Sequence, residues 1–277
     1  MKRSQPISGR RRTPELVTVR QIALSLASRS GSGIVESIVR RHLIAFLLAA
    51  ASAAPPAVAA TARFEDSMAQ RALACSACHG KEGRAGPDGY YPRIAGKPAG
   101  YLYNQLLNFR DGRRHYGPMA RLMDPLSEAY LLEIAQYFSA LDLPYPAPAV
   151  TRTDPAALQV GRSLALQGDP QRNLPACAQC HGENLMGVQP NTPGLMGLSR
   201  DYLSSQLGAW RTGQRRAHTP DCMADIAKRL TLDDVSAVSA WLSAQQPAAG
   251  SKPAVSLPRP PEIACGSASL PAGRQAP

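Results

Sequence analysis

Beyond residue 64 the apolar positions fall at helical spacing, and no segment alternates steadily between apolar β-branched and polar residues. Tyr101, Gln105 and Phe109 stand at i, i+4 and i+8, one face of a helix expected to begin near Ala99. Tyr202, Gln206 and Trp210 repeat that face on a helix expected to begin near Arg200. A later helix is predicted to open at Ser127, a good N-cap, and to bury Leu131, Ile134 and Phe138. Its counterpart opens at Thr231 and buries Val235, Val238 and Leu242, with Asp234 placed for a capping box. Shorter helical stretches are expected from Asp66 to Ala74 and from Gln159 to Gln167. The pattern predicts an all-α chain.

These elements form an internal repeat. Pro92, Gly96, Tyr101-Leu102 and Gln105-Leu106 recur as Pro193, Gly197, Tyr202-Leu203 and Gln206-Leu207 at a constant offset of 101. The same offset carries Phe109-Arg110-x-Gly112 onto Trp210-Arg211-x-Gly213. Met119 and Met223 are 104 apart, as are Leu126-Ser127 and Leu230-Thr231. One small helical domain has therefore been duplicated, with domain 1 expected over 63–142 and domain 2 over 153–246. The Pro-rich stretch 143–152 reads as a stiff linker, and the Pro-, Ala- and Gly-rich tail 247–277 as lacking regular structure.

The formal charge of +11 is mostly a leader effect. Residues 1–62 hold nine Lys/Arg against two Glu, whereas 63–277 hold 22 Lys/Arg against 18 Asp/Glu. Nucleic-acid binding therefore has no support. Within that leader, Arg40-Arg41-His42 precedes an apolar run from Leu43 to Ala54, and Ala57-Val58-Ala59 and Ala60-Thr61-Ala62 fit signal cleavage. A signal peptide over about 40–62 and a periplasmic destination are expected. The run is short for a bilayer span, with surface association or an uncleaved signal as the alternative. Residues 1–39 show no core pattern, consistent with translation starting near Val35 or Val39.

The chemistry lies in two pentapeptides, Cys75-Ser76-Ala77-Cys78-His79 and Cys177-Ala178-Gln179-Cys180-His181, each followed by Gly. Cys-x-x-Cys-His is the attachment sequence of a c-type haem. The thiols add across the porphyrin vinyl groups, and the histidine becomes the proximal iron ligand. A thioredoxin-like pair or half a zinc site would not require a histidine at that place twice. Two covalent haem c groups follow, held by Cys75, Cys78, Cys177 and Cys180, with His79 and His181 on the irons. A second axial ligand separates electron transfer from catalysis at an open iron. Met119 and Met223, expected in equivalent loops, are the candidates. Met123, Met186 and Met196 lack methionine partners in the other repeat, and His115 or His218 would give bis-His iron instead. Arg110 and Arg211 either approach the haem propionates or stay exposed.

The order Cys-x-x-Cys-His-Gly, Pro-x-Ile-Ala-Gly, Tyr-Leu-x-x-Gln-Leu, Phe-Arg-x-Gly-x-Arg, Met and Leu-Ser resembles the dihaem cytochrome c4 family, within the class I cytochromes c and close to cytochrome c553. The resemblance covers about residues 64–246 in two tandem class I cytochrome c domains. It implies a non-enzymatic periplasmic electron carrier. Its donor would be a quinol-oxidising complex or dehydrogenase, and its acceptor a terminal oxidase. The alternatives are a haem subunit of a dehydrogenase complex, or a dihaem enzyme of peroxidase or thiosulfate-oxidising type. The second copy departs from the pattern with Pro193-Gly194-Leu195-Met196-Gly197, with Cys222 before Met223, and with a tail carrying Cys265. Four of the six cysteines are assigned to haem. A disulfide between Cys222 and Cys265 is expected in an oxidising compartment, pinning the tail across the Met223 loop.

Overall fold

The computed structural model describes residues 38–42, 65–148 and 152–271. The signal-like run at 43–62 and the stretch 1–37 lie outside the described residues. Phe64–Pro277 forms one compact unit, which contains everything below.

The first repeat comprises α1 (Met68–Arg71), α2 (Leu73–His79), α3 (Ala99–Arg110), α4 (Gly117–Met123) and α5 (Glu128–Ala140). The second comprises α6 (Pro155–Leu166), α7 (Cys177–His181), α8 (Arg200–Arg211), α9 (Cys222–Arg229) and α10 (Leu232–Ser243). A two-stranded hairpin, β1 (Gly187–Val188) with β2 (Thr192–Pro193), is the one departure from the all-α expectation among the described residues. Its register pairs Gly187 with Pro193 and Val188 with Thr192.

The helix signals act as the sequence suggests. Ser127 Oγ accepts from Tyr130 N, and Thr231 with Asp234 completes a reciprocal capping box. Leu131, Ile134 and Phe138 are buried on α5, and Val235, Val238 and Leu242 on α10. α5 packs against α3, and α10 against both α6 and α8. The expected helix from Asp66 to Ala74 is broken near Ala72, and its second part runs on into the first haem motif.

Met119 and Met223 differ from expectation, since both lie in first turns of short helices rather than in loops. Pro118 starts α4 with a fixed φ, and Asp221 caps α9 by accepting from Ala224 N. The described linker residues 143–148 lack regular structure and are anchored by Arg93, which donates to the carbonyls of Leu143 and Pro144 and lies 4.0 Å over the Tyr145 ring.

The repeats clasp each other reciprocally. Tyr101 N at the start of α3 donates to Pro190 O of the second repeat at 3.0 Å. Ser199, the N-cap of α8, donates through Oγ to Gly89 O of the first at 2.6 Å. Arg114 and Arg215 form an antiparallel bridge between the repeats, and Arg216 N donates to Arg113 O.

Candidate haem centres

In each repeat the histidine ends a short helix and the chain then reverses. Gly80 makes the first reversal at φ +74°, where a Cβ would stand 2.3 Å from Ala85 O. No other residue fits there. The loop then returns a proline carbonyl to the histidine ring. His79 Nδ1 lies 2.8 Å from Pro92 O, and His181 Nδ1 lies 2.7 Å from Pro193 O. Donation from Nδ1 leaves the Nε2 lone pair free for a metal. Burial holds both imidazoles below their ordinary value, against the opposing effect of that bond, so each ring is neutral at pH 7.

Two cavities receive these side chains. The first holds Cys75, Cys78, His79 and Met119 in its wall, the second Cys177, Cys180, His181 and Met223. Their empty volumes, open mouths included, are about 1930 and 1010 Å³. Every proposed haem residue is thus brought to the matching cavity. Two competing methionines fall elsewhere: Met186 and Met196 are in the core of the second repeat. Met123, 4 % exposed, is core to the first repeat while also touching its cavity. His115 reaches the first cavity from an exposed position. Arg110 is spent on Asp111 and Glu128, and Arg211 on the carbonyls of Ala227 and Leu230.

The two cavities share a wall that includes Tyr101, Tyr202, Gln206 and Arg215. Arg114 donates to Gln105 Oε1 at 3.0 Å, Tyr202 Oη at 3.1 Å and Gln206 Oε1 at 2.6 Å. Arg215 mirrors it, donating to Gln206 Oε1 at 2.7 Å and Gln105 Oε1 at 3.0 Å. Both guanidiniums are buried, they stack on Phe109 and Trp210, and among the described residues neither forms an ion pair. Burial, with Arg114 beside it, pulls Arg215 down to about 10. Lys97 adds a third buried cation. Its Nζ donates to Gly194 O at 2.7 Å, and burial, with Arg93 nearby, pulls it down to about 7. In the second cavity the buried indole Nε1–H of Trp210 has no protein partner.

The buried cations have neutral acceptors but no counter-anion among the described residues, and the Trp210 donor has no acceptor, so the cavities favour an anionic guest. A haem fits that requirement: it is an apolar macrocycle with two carboxylates, and the paired cysteines and the histidine in each cavity wall would bind it. The arginine cluster escaped the sequence reading. Its signal was present, because Arg114 and Arg215 hold the same place in the two Phe/Trp-Arg-x-Gly-x-Arg segments.

No family model matches the chain. It is 31% identical over 174 residues to cytochrome c4 of Pseudomonas aeruginosa, covering 62% of this chain and 84% of that protein. The chain belongs to the dihaem cytochrome c4 family. It is 41% identical over 174 residues to the "Thiosulfate dehydrogenase electron acceptor" of Thiomonas intermedia, covering 63% of this chain and 79% of that protein. Among solved structures, reduced cytochrome c4 from Pseudomonas stutzeri is similar at TM-score 0.55 and 30% identity, covering 64% of this chain and 95% of that one. A thiosulfate dehydrogenase from Marichromatium purpuratum is similar at TM-score 0.57 and 33% identity, covering 63% of this chain but 36% of that one. This cytochrome is thus an electron-transfer protein with two covalently bound haem c groups in tandem all-α cytochrome c domains, and its partners are redox proteins. No helix among the described residues is long and apolar enough to cross a membrane.

Proposed function

We propose that this cytochrome is a periplasmic carrier that accepts single electrons from a thiosulfate-oxidising dehydrogenase. The observation that carries the reading is the common wall of the two cavities, which brings two redox sites within one hydrogen-bonded cluster. The partner is inferred from relatives at 41% and 39% identity that bear the name of a thiosulfate dehydrogenase electron acceptor, against 31% for the relative named above. Export through a signal at about 40–62 fits covalent haem attachment outside the cytoplasm. The domains are 63–142 and 153–246, with linker 143–152 and tail 247–277.

Cys75 and Cys78 would hold the first haem, with His79 and Met119 as its iron ligands; Cys177, Cys180, His181 and Met223 would serve the second. Haem c, when bound, supplies a reversible one-electron Fe(III)/Fe(II) couple. The chain's own residues make that couple fast and directional. The Pro92 and Pro193 carbonyls fix each imidazole's tautomer and orientation before and after transfer. Methionine opposite histidine raises the potential relative to two histidines. Arg114 and Arg215 favour the less positive, reduced state of both centres. The apolar walls keep water from reorganising around the change of charge.

Anaerobic mixing tests the reading. Thiosulfate with a purified thiosulfate dehydrogenase should reduce both haems in the visible spectrum, while thiosulfate alone should not. Reduction by a quinol-oxidising complex but not by the thiosulfate couple would overturn the partner. For the ligands, the oxidised protein should show the weak far-red methionine-to-iron band. Met223→His should remove about half of it, one of two equivalent centres, and an unchanged band would remove Met223 from the ligand set.

A further inference from the structure

The first and second centres differ in one covalent feature. In the first repeat, the residue before Met119 is Pro118. In the second, the residue before Met223 is Cys222, joined to Cys265 with a Cα–Cα distance of 5.1 Å. Cys265 belongs to a tail that is held at several points along its described course. Ala254 pairs with the hairpin after His181, donating to Gly187 O at 2.9 Å and accepting from Gln189 N at 2.8 Å. Lys252 meets Asp142, just before the linker, at 2.9 Å. Gly266 N donates to Pro220 O at 2.7 Å, immediately before α9. Ala268 N then donates to Asn104 Oδ1 on α3 at 2.7 Å, and Ala268 packs on the core of the first repeat. The segment without regular structure is therefore a strap. It runs from the histidine side of the second cavity, across the methionine segment, to the first repeat.

We propose that the strap, locked by Cys222–Cys265, is a positioning element for Met223, holding its sulfur toward the second cavity against displacement by outside ligands. The inference rests on Met223 being the axial ligand. α9 has eight residues, Met223 is in its first turn, and its side chain is only half-buried. Apart from the disulfide and Gly266, Asp221 ties that turn by accepting from Ala217 N and Ala224 N, and α9 packs against α8. The disulfide removes most of the freedom of the segment to swing away, and the bonds at Gly266 and Ala268 tie it to both repeats. The first centre has no such tie and serves as an internal control.

The test begins with folded, purified holoprotein, so export and haem attachment are not at issue. The disulfide is opened with a phosphine. One portion is capped with a maleimide and a second is freed of reductant so that the bond re-forms, each state confirmed by mass. The iron is then reoxidised with ferricyanide, and the far-red band, both midpoint potentials and imidazole binding are measured. Loop-closure arithmetic for the 43-residue separation, which counts the freedom of an unfolded loop, bounds the gain from above at about a thousandfold. Imidazole affinity at one haem should rise at least about tenfold in the capped protein. The far-red band should weaken, one potential should fall while the other holds, and re-formation should restore all three.

Met223→His supplies the second arm. Its remaining band comes from the first haem and should not respond to opening the disulfide. A smaller gain in affinity, equal responses at both haems, or a response in Met223→His would overturn the proposal. A native protein whose band does not fall in Met223→His would instead overturn the ligand assignment, and the inference with it.

Discussion

Replacing Gly161 by Ala tests the helix crossing on which the second domain is built. Gly161 lies inside α6 where it meets α10. A Cβ there would stand 2.2 Å from Ala237 O, 2.6 Å from Ala237 C and 2.9 Å from Trp241 Cβ. Ordinary carbon–oxygen contact begins near about 3.3 Å, so the overlap is about 1 Å. The oxygen belongs to the α10 backbone and cannot rotate aside, so the two helices must separate. Overpacking costs about 1–3 kcal/mol, and an overlap with backbone belongs at the upper end. Alanine regains about 1 kcal/mol of helix propensity over glycine. The net effect is a loss of about 2 kcal/mol, or about 4–8 °C in Tm for a folded unit of this size. Guanidinium denaturation followed by far-ultraviolet circular dichroism measures it. A Gly161→Ala protein as stable as the parent, or more stable, would show that propensity outweighs packing and would refute the close-crossing argument.

Two other outcomes follow from the site and its surroundings. Arg215→Met removes a buried cation from the wall shared by both cavities, so both midpoint potentials should fall by tens of millivolts. A tenfold change in the one-electron equilibrium corresponds to about 59 mV; unchanged or raised potentials in an optical titration would contradict the electrostatic role. At Asp234, burial alone would raise the carboxyl pKa. The Arg172 guanidinium, 2.6 Å away, and Thr231 outweigh burial and hold it below the ordinary aspartate value. Its stabilising effect is thus complete above the unfolded value and is lost as pH falls through the lower folded one. Asp234→Asn should cost about 1 kcal/mol near neutrality, and the difference should vanish in acid. A gap that persists at low pH in denaturation midpoints would place the effect elsewhere.

What the sequence alone determined was local or periodic. Cys-x-x-Cys-His places its thiols and imidazole within one helical turn, so it declares its cofactor without tertiary help. Ser127, Thr231 and Asp234 cap the helices they begin, because caps act on donors two or three residues away. Duplication exposed Met119 and Met223 by position. It did not disclose that each lies in the first turn of a helix, because α4 and α9, of seven and eight residues, are too short to leave a clear periodic trace.

Tertiary structure decided whatever depends on distant segments meeting. The carbonyls that orient His79 and His181 belong to Pro92 and Pro193, and carbonyls leave no mark in a sequence. Lys97 and Arg215 are cations that folding buries in the cavity walls, Arg215 in the wall common to both. Pro- and Gly-rich composition suggests a tail without regular structure. Composition cannot report the hydrogen bonds of Ala254, Gly266 and Ala268, which with the disulfide make it a strap. Residue identity within a few positions fixes helices, caps and attachment chemistry. The wall that joins the two centres exists only because the repeats pack face to face and exclude water from charges they then hold in common.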